Sequence, residues 1–179
     1  MNSLYKIIFC LLALSLTVQA FETFGDDPKA DLQLFYNGLF EQASLADPTT
    51  LLDCYDNNAA TVTLDFLGDL FSGLANNNAV EVYKAVQTYN TQLQTPIKKC
   101  LQANEDLKSL YAAYGISGKT LVQIGLGIIQ YAATHYQDVH QKLVDLNTEY
   151  QGGDYQGSGK NLGVILLAVF KSGFKYPSF

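Results

Sequence analysis

The chain has 179 residues, of which 48% are apolar and 16% are charged, and all of its 11 basic residues are lysines. A formal net charge of −6 without any arginine argues against nucleic acid and anionic lipid as partners, since both require clustered cations against phosphate. The apolar content excludes a disordered chain, and the length predicts a single domain.

The first 20 residues have the pattern of a secretory signal peptide. Lys6 gives the start a positive charge, the stretch 7–18 is largely apolar, and Val18 and Ala20 stand at the two positions that signal peptidase recognises. We expect cleavage between Ala20 and Phe21, and hence a protein that is secreted or held in the lumen of the secretory pathway. The apolar stretch is too short to span about 30 Å of hydrocarbon, and we predict no transmembrane segment after cleavage.

Removal of this leader changes both the charge and the cysteine count. Lys6 and Cys10 leave with it, so the mature chain 21–179 has one lysine fewer, a formal net charge of −7, and the pair Cys54 and Cys100. Two cysteines in an oxidising compartment predict one disulfide, with two free buried thiols as the alternative. On a chain-entropy model, closing a loop of this length stabilises the fold by about 4 kcal/mol.

Amphipathic helices account for the mature chain, because apolar residues recur at steps of three and four and no stretch alternates as a strand would. Asp–Pro pairs at 27–28 and 47–48 are typical helix starts, in which an Asp cap precedes proline. We predict an all-α, single-domain bundle of six or seven amphipathic helices with a short irregular tail from 174. The apolar stripes run, in chain order, through 32–43, 51–55, 62–74, 82–93, 97–114, 121–150 and 155–170.

Four helix boundaries carry specific expectations. The polar residues 56–58 are expected to end the short second helix before the third begins. Pro96 is expected to separate the fourth helix from the fifth. The stripe that begins at 121 predicts either one helix of about eight turns or two helices with a bend near Thr134. Asp154 follows two glycines and is expected to cap the last helix.

The glycine-rich segment 153–161 enters a helix and invites comparison with a phosphate-binding loop. Its glycine spacing is one residue too long for that loop, and Asn161 stands where the loop needs a hydroxyl. We interpret Gly159 and Gly163, which are four residues apart, as positions that let another helix approach closely.

Other motifs of catalysis or metal binding are equally unsupported. His135 and His140 are five residues apart, too far round a helix to share a metal ion. The sequence contains neither a Gly-x-Ser-x-Gly nucleophile motif nor a calcium-loop pattern. We therefore predict no catalytic residue, no cofactor and no metal site.

Asn104 and the tyrosines are the polar residues of most interest. Asn104 lies on an apolar stripe, so its burial would require hydrogen-bond partners, and we expect it to fix the register of its helix. Eleven of the 12 tyrosines remain after cleavage, and we place their rings in the core and their hydroxyls at its rim. An excess of Tyr, Gln and Asn with little charge also favours a protein-contact surface.

Three features together carry a resemblance to a known group of proteins. These are a helix with Phe35, Tyr36, Gly38 and Leu39, two widely spaced cysteines, and a late helix with Gly153, Asp154, Tyr155, Gly159 and Gly163. With the signal peptide, this pattern resembles small secreted all-helical two-cysteine proteins of ciliated protists. The resemblance extends over nearly the whole mature chain. It implies the helical fold and the secretory compartment, and it brings no catalytic residue with it.

The expected function is that of a non-enzymatic secreted or lumenal helical protein acting through contacts with other protein chains. It would be a subunit of an extracellular or surface assembly, which includes a homo-oligomer. The alternative is a carrier of a small apolar ligand, which requires a dry cavity of roughly several hundred cubic ångströms beside small residues such as Gly125 and Gly127. An enzyme would instead need a cleft in which His135 meets a carboxylate or a hydroxyl.

Overall fold

The computed structural model describes residues 27–119 and 121–171, so the predicted leader 1–20 and the tail from 174 lie outside the described residues. Within those ranges every regular element is helical, which confirms the predicted all-α class. The elements are α1 (Pro28–Gln42), a 3₁₀ turn (Leu51–Cys54), α2 (Asn57–Ala75), α3 (Ala79–Thr88), a π-helical turn (Tyr89–Leu93), α4 (Gln94–Ala103), α5 (Glu105–Ala113), α6 (Leu121–Thr134), α7 (Tyr136–Gln151) and α8 (Tyr155–Phe170).

Helices α1 and α8 cross at unusually short range. A Cβ atom on Gly38 of α1 would overlap the α8 backbone, and a Cβ on Gly159 of α8 would overlap the carbonyl of Phe35 in α1. The two backbones can approach this closely only because both positions lack a side chain. One turn further along α8, Gly163 lies against the hydroxyl of Tyr114. Gly159 and Gly163 thus lie on the face of α8 that packs against its neighbours.

The core beside this crossing is apolar and rich in aromatic rings. Phe71 of α2 contacts the rings of Phe35 and Tyr150 at centroid distances of 6.0 and 5.4 Å. Burying one large apolar side chain contributes roughly 1.5–3 kcal/mol, so a core of this kind dominates the stability of the bundle. Side chains that are at most 2% exposed include one from each of α1, α2, α7 and α8: Leu32, Leu64, Leu146 and Ile165.

Residues 79–103 form one continuous helical path through α3, the π-helical turn and α4, which we call the arm. The prediction that Pro96 separates two helices is wrong, because Pro96 lies within the first turn of α4. A proline ring clashes with the carbonyl four residues before it in a regular helix. The π-helical turn, in which Gln94 N–H bonds to Tyr89 O, widens the chain just before Pro96. We attribute the uninterrupted helix to this local expansion.

Three other boundaries are now defined. Asp56 caps α2 by accepting a hydrogen bond of 2.7 Å from Ala59 N–H, so residues 57 and 58 begin the helix instead of breaking it. The stripe 121–150 forms two helices, separated at His135 next to the expected bend. Asp154 caps α8, as predicted, through a bond of 2.8 Å from Gly157 N–H.

Three interactions, which we call the clamp, tie the 3₁₀ turn to α4 and α5. Cys54 and Cys100 form the predicted disulfide, with their Cα atoms 5.5 Å apart. The amide of Asn104 donates to the carbonyl of Thr50 at 2.9 Å. The carboxylate of Asp106 accepts from the backbone N–H groups of Thr49 and Thr50 at 3.0 and 2.9 Å. The clamp therefore joins the far end of the arm to the chain between α1 and α2.

Asn104 corrects the prediction for the stripe 97–114. It is 6% exposed and its backbone leaves the helical region, so the stripe is divided into α4 and α5. Its Oδ1 atom caps α5 by accepting from Leu107 N–H at 3.0 Å, while its Nδ2 atom is used in the clamp. An amide can donate and accept at once, which is why Asn suits this buried junction. Its role is to end one helix and start the next, not to fix the register within one helix.

Candidate functional site

One face of α3 exposes two large apolar side chains. Val80 and Tyr83 are separated by three residues and are 65% and 63% exposed. Lys84 and Gln87 are also exposed, and helical spacing places them on the same face. We call these four residues the α3 patch. Exposed apolar side chains that lie together, in contrast to single ones, indicate an interaction surface.

The opposite face of α3 explains why the patch points outward. Ala85 is fully buried, and Gly73 of α2 lies so close to Val82 that a Cβ on this glycine would clash with it. Next to this contact, the carboxylate of Glu81 accepts a hydrogen bond of 2.9 Å from the Ser72 hydroxyl. Small residues thus allow α3 to pack closely on α2 through the face of α3 that contains residues 81, 82 and 85. The patch lies on the other side of the helix axis.

The position of Tyr83 corrects the predicted stripe 82–93, which assigned this residue to the buried face together with Val82. Neighbouring residues of a helix are about 100° apart, so only one of the two can point directly at α2. Val82 is partly buried against Gly73 of α2, whereas Tyr83 is exposed. A usable signal was present in the sequence, because Val80, Tyr83, Lys84 and Gln87 also share a helical face.

Two carboxylates of α2, Asp65 and Asp69, lie one helical turn apart, and we call them the acidic row. Partial burial raises the pKa of both, and the charge of Asp69 raises that of Asp65 further. The positive charge of Lys84 lowers the pKa of Asp69, which indicates that the lysine lies near this carboxylate. The two ion pairs within the described residues, Lys108–Glu105 and Lys160–Glu41, involve other groups. A negative surface therefore adjoins the lysine of the patch.

Two open clefts lie along α4 and the clamp. The larger has a volume of about 950 Å³ and is lined by polar residues, among them Asp53 and Lys99, together with the disulfide. The smaller, of about 360 Å³, is lined by Gln94, Thr95, Lys98, Lys99 and Gln102. A site for an apolar ligand encloses most of the ligand surface, whereas both clefts are open to solvent, so they do not support the carrier hypothesis. Neither includes Gly125 or Gly127, which lie on α6.

Several tyrosine hydroxyls lie inside the bundle, which corrects the expectation that they lie at its rim. Tyr114 and Tyr150 each donate a hydrogen bond of 2.6 Å to a helix carbonyl, that of Leu39 and that of Leu64 respectively. Burial raises the pKa of both phenols well above the usual range. These hydroxyls are therefore neutral structural links between helices.

The two histidines lie at the start of α7. Nδ1 of His135 is 2.8 Å from the hydroxyl of Thr134, and its ring stacks on Tyr131 with centroids 4.1 Å apart. His140 stacks on Tyr136 at 5.3 Å. His135 thus meets a hydroxyl, but both clefts described above lie along α4, away from this junction. Over the parts of the chain that the structure describes, no three metal-ligating side chains come together.

Comparison of the chain with protein-family models, with curated proteins and with solved structures found no match. In addition, none of the helices within 27–119 and 121–171 has the length and apolar character needed to cross a membrane. The function of the chain must therefore be inferred from the geometry of the α3 patch and its surroundings.

Proposed function

We propose that the protein is a non-enzymatic helical protein of the secretory pathway that acts through contacts with other protein chains, and that the α3 patch is its contact surface. The observation that carries the proposal is the joint exposure of Val80 and Tyr83 on one helical face. Tyrosine is favoured in such surfaces because its ring supplies apolar area while its hydroxyl still bonds to water or to a partner.

The surroundings of the patch support a contact role. Lys84 and Gln87 extend it with polar groups, and Asp69 of α2 lies near Lys84, so an apolar centre has a charged and polar margin. This is the usual organisation of a protein interface, in which a few anchor residues are ringed by polar ones. Tyr83 is the anchor because it is the largest exposed side chain of α3.

The polar groups of the interior support a non-enzymatic role. The phenols of Tyr114 and Tyr150 bond to helix carbonyls, and Asn104 and Asp106 bond within the clamp. Each of these groups has a partner in the fold itself, so its presence is explained without a substrate. The disulfide is compatible with the oxidising compartment that the predicted leader implies.

Photo-crosslinking of the full chain, expressed in its native cells, tests this function. Benzoylphenylalanine in place of Tyr83 should yield a covalent adduct with a protein. The matched control carries the same group in place of Tyr136, which is exposed to a similar degree, 58%, but lies on α7. Equal or absent adduct formation at the two positions would contradict the α3 patch as the contact surface.

A further inference from the structure

We propose that the Cys54–Cys100 disulfide is a site of thiol–disulfide exchange, at which a protein dithiol attacks the sulfur of Cys54 and thereby releases α4 from the bundle. The partner is defined by its chemistry, a pair of neighbouring thiols of which one is present as a thiolate. None of the residues around the disulfide belongs to the α3 patch, so this role is additional to the proposed function.

The disulfide borders a space that is open to solvent. Both cysteines line the larger of the two clefts, which has a volume of about 950 Å³ and which we call the disulfide cleft. Cys100 is 4% exposed, whereas Cys54 is only partly buried. An attacking thiolate must reach a sulfur atom directly, so exposure decides which of the two is attacked. Cys54 is therefore the site of attack, and Cys100 supplies the leaving group.

A cation beside Cys100 favours this direction of exchange. Lys99 precedes Cys100 in the chain and lines the disulfide cleft with it. α4 contains two lysines and no acidic residue, whereas the carboxylates of the cleft come from the 3₁₀ turn and α5: Asp53, Glu105 and Asp106. A positive charge stabilises a nearby thiolate, and a thiol that ionises more readily leaves faster. Lys99 therefore assists the departure of Cys100.

The exchange takes two steps and leaves both cysteines as thiols. In the first step, the thiolate of the partner forms a bond to Sγ of Cys54 while the bond between the two protein sulfurs breaks. The electron pair of that bond goes to Sγ of Cys100, which then takes a proton from water. In the second step, the other thiol of the partner loses its proton and attacks the partner sulfur of the mixed disulfide, and Cys54 leaves and is protonated. The protein gains two electrons and two protons, and the partner becomes a disulfide.

Breaking this bond removes the main anchorage of α4. Cys100 is the one buried side chain of this helix, with Ile97 and Leu101 partly buried. Within the described ranges, α4 packs mainly against its neighbours in sequence, the π-helical turn and α5, whereas α3 packs extensively on α2. After reduction the clamp keeps only the hydrogen bonds of Asn104 and Asp106. We expect α4 to move away from the 3₁₀ turn about the π-helical turn, while α3 stays on α2.

Trapping of the mixed disulfide tests the site of attack. The protein, purified with its disulfide intact, is incubated without denaturant with a thioredoxin whose second active-site cysteine is replaced by serine, so that only the first step can occur. After acid quenching, peptide mass spectrometry should find the adduct on Cys54 and a thiol on Cys100. An adduct on Cys100, equal adducts on both cysteines, or no adduct would overturn the proposal.

Reduction kinetics distinguish attack on the folded protein from attack on the unfolded chain. With dithiothreitol as the reductant, the rate should stay nearly constant in low concentrations of urea, because the disulfide cleft is present in the native state. A reaction that requires unfolding would instead accelerate with the urea dependence of global unfolding. That acceleration would overturn the proposal.

Two adjacent lysines provide a matched test of the charge beside Cys100. Lys99→Gln should slow reduction by dithiothreitol about threefold, because the leaving thiolate loses a nearby cation. The control is Lys98→Gln, which makes the same change of charge at a residue that lines only the smaller cleft, and it should leave the rate nearly unchanged. Equal rates for the two variants would overturn the role of Lys99.

Hydrogen exchange tests the release of α4. The oxidised protein is compared by mass spectrometry with the same protein kept reduced by excess dithiothreitol. Exchange in residues 94–103 should rise by about tenfold or more, and it should rise more there than at the α1–α8 crossing. Unchanged exchange in α4, or an equal rise in every helix, would overturn the release of this helix.

Discussion

The crossing of α1 with α8 and the arm are held in the bundle by different means. At the crossing, Gly38 and Gly159 bring two backbones together, and large apolar side chains fill the space beside them. The arm has only Ala85, Leu93 and Cys100 fully buried, and its far end depends on the disulfide and the hydrogen bonds of the clamp.

This difference has a functional consequence. An element that buries both faces has no surface left for a partner, whereas one held by a narrow stripe and a covalent link can keep a whole face exposed. The α3 patch lies on that exposed face. The clamp therefore gives the arm the anchorage that a wider buried face would otherwise supply, and thereby leaves the patch free for contact.

Loss of the disulfide should have the largest effect on the stability of the protein. Cys54→Ala/Cys100→Ala should lower the free energy of unfolding by about 4 kcal/mol, since the unfolded chain regains the freedom of the closed loop. Hydrogen exchange should rise first in α3, α4 and α5 and only later at the α1–α8 crossing. Denaturant titration and exchange mass spectrometry measure the two effects. A uniform rise in exchange would contradict a distinct dependence of the arm on the clamp.

Adding a methyl group at the α1–α8 crossing should have the next largest effect on stability. Gly159→Ala should destabilise the protein by about 3 kcal/mol, because the new methyl group would meet the backbone of α1. The control is Gly68→Ala within α2, where a Cβ would meet no backbone of another helix and would lie 3.2 Å from the edge of the Tyr150 ring, so a shift of a few tenths of an ångström accommodates it. Equal stability of the two variants in denaturant titration would refute the close backbone approach.

Removal of the Asn104 side-chain amide, at the end of α4, should lower the free energy of unfolding by a smaller amount. Asn104→Ala should lower stability by roughly 1–2 kcal/mol, because α5 loses its cap and the carbonyl of Thr50 loses a donor. Asn104→Asp retains an oxygen for the cap but places a carboxylate oxygen against the carbonyl of Thr50, so its cost should arise at the clamp, from the lost donor and from the buried charge. Thermal unfolding of both variants separates the two contributions, and identical losses would contradict the dual role.

The smallest effects concern pH, and they should have opposite signs in the clamp and the acidic row. Backbone hydrogen bonds from Thr50 lower the pKa of Asp106, so its stabilising contribution should be present above about pH 4, near the unfolded value, and be lost as pH falls through the folded value. The pKa of Asp65 is raised, so its ionisation destabilises the fold, and Asp65→Asn should stabilise it at pH 7 by a few tenths of a kcal/mol. That gain should vanish below about pH 4. Urea titration at both pH values measures these differences, and the same sign for Asp106→Asn and Asp65→Asn would contradict the assignment.

The features predicted correctly from the sequence are those set by local pattern. Helical periodicity predicts the all-α class, and the two cysteines that remain after the predicted cleavage predict the disulfide. Gly159 and Gly163 share a face because they are one turn apart. Asp154 precedes a helix as a cap because its side chain accepts a hydrogen bond from a backbone only three residues away.

The features that were missed depend on residues distant in sequence. α3 has apolar residues on two faces, and Gly73 and Ala85 decide which of these packs on α2. The break at Asn104 depends on Thr50, its hydrogen-bond partner 54 positions earlier. The fold class was therefore accessible from the sequence, whereas the exposed face of α3 required the tertiary arrangement.

Paired crosslinking of positions 83 and 136 determines whether the α3 patch is a protein-contact surface. Both tyrosines are similarly exposed, but only Tyr83 lies in the α3 patch. If the α3 patch is the contact surface, position 83 should yield a protein adduct and position 136 none above background. Adducts of equal yield from both positions, or none from position 83, would contradict it.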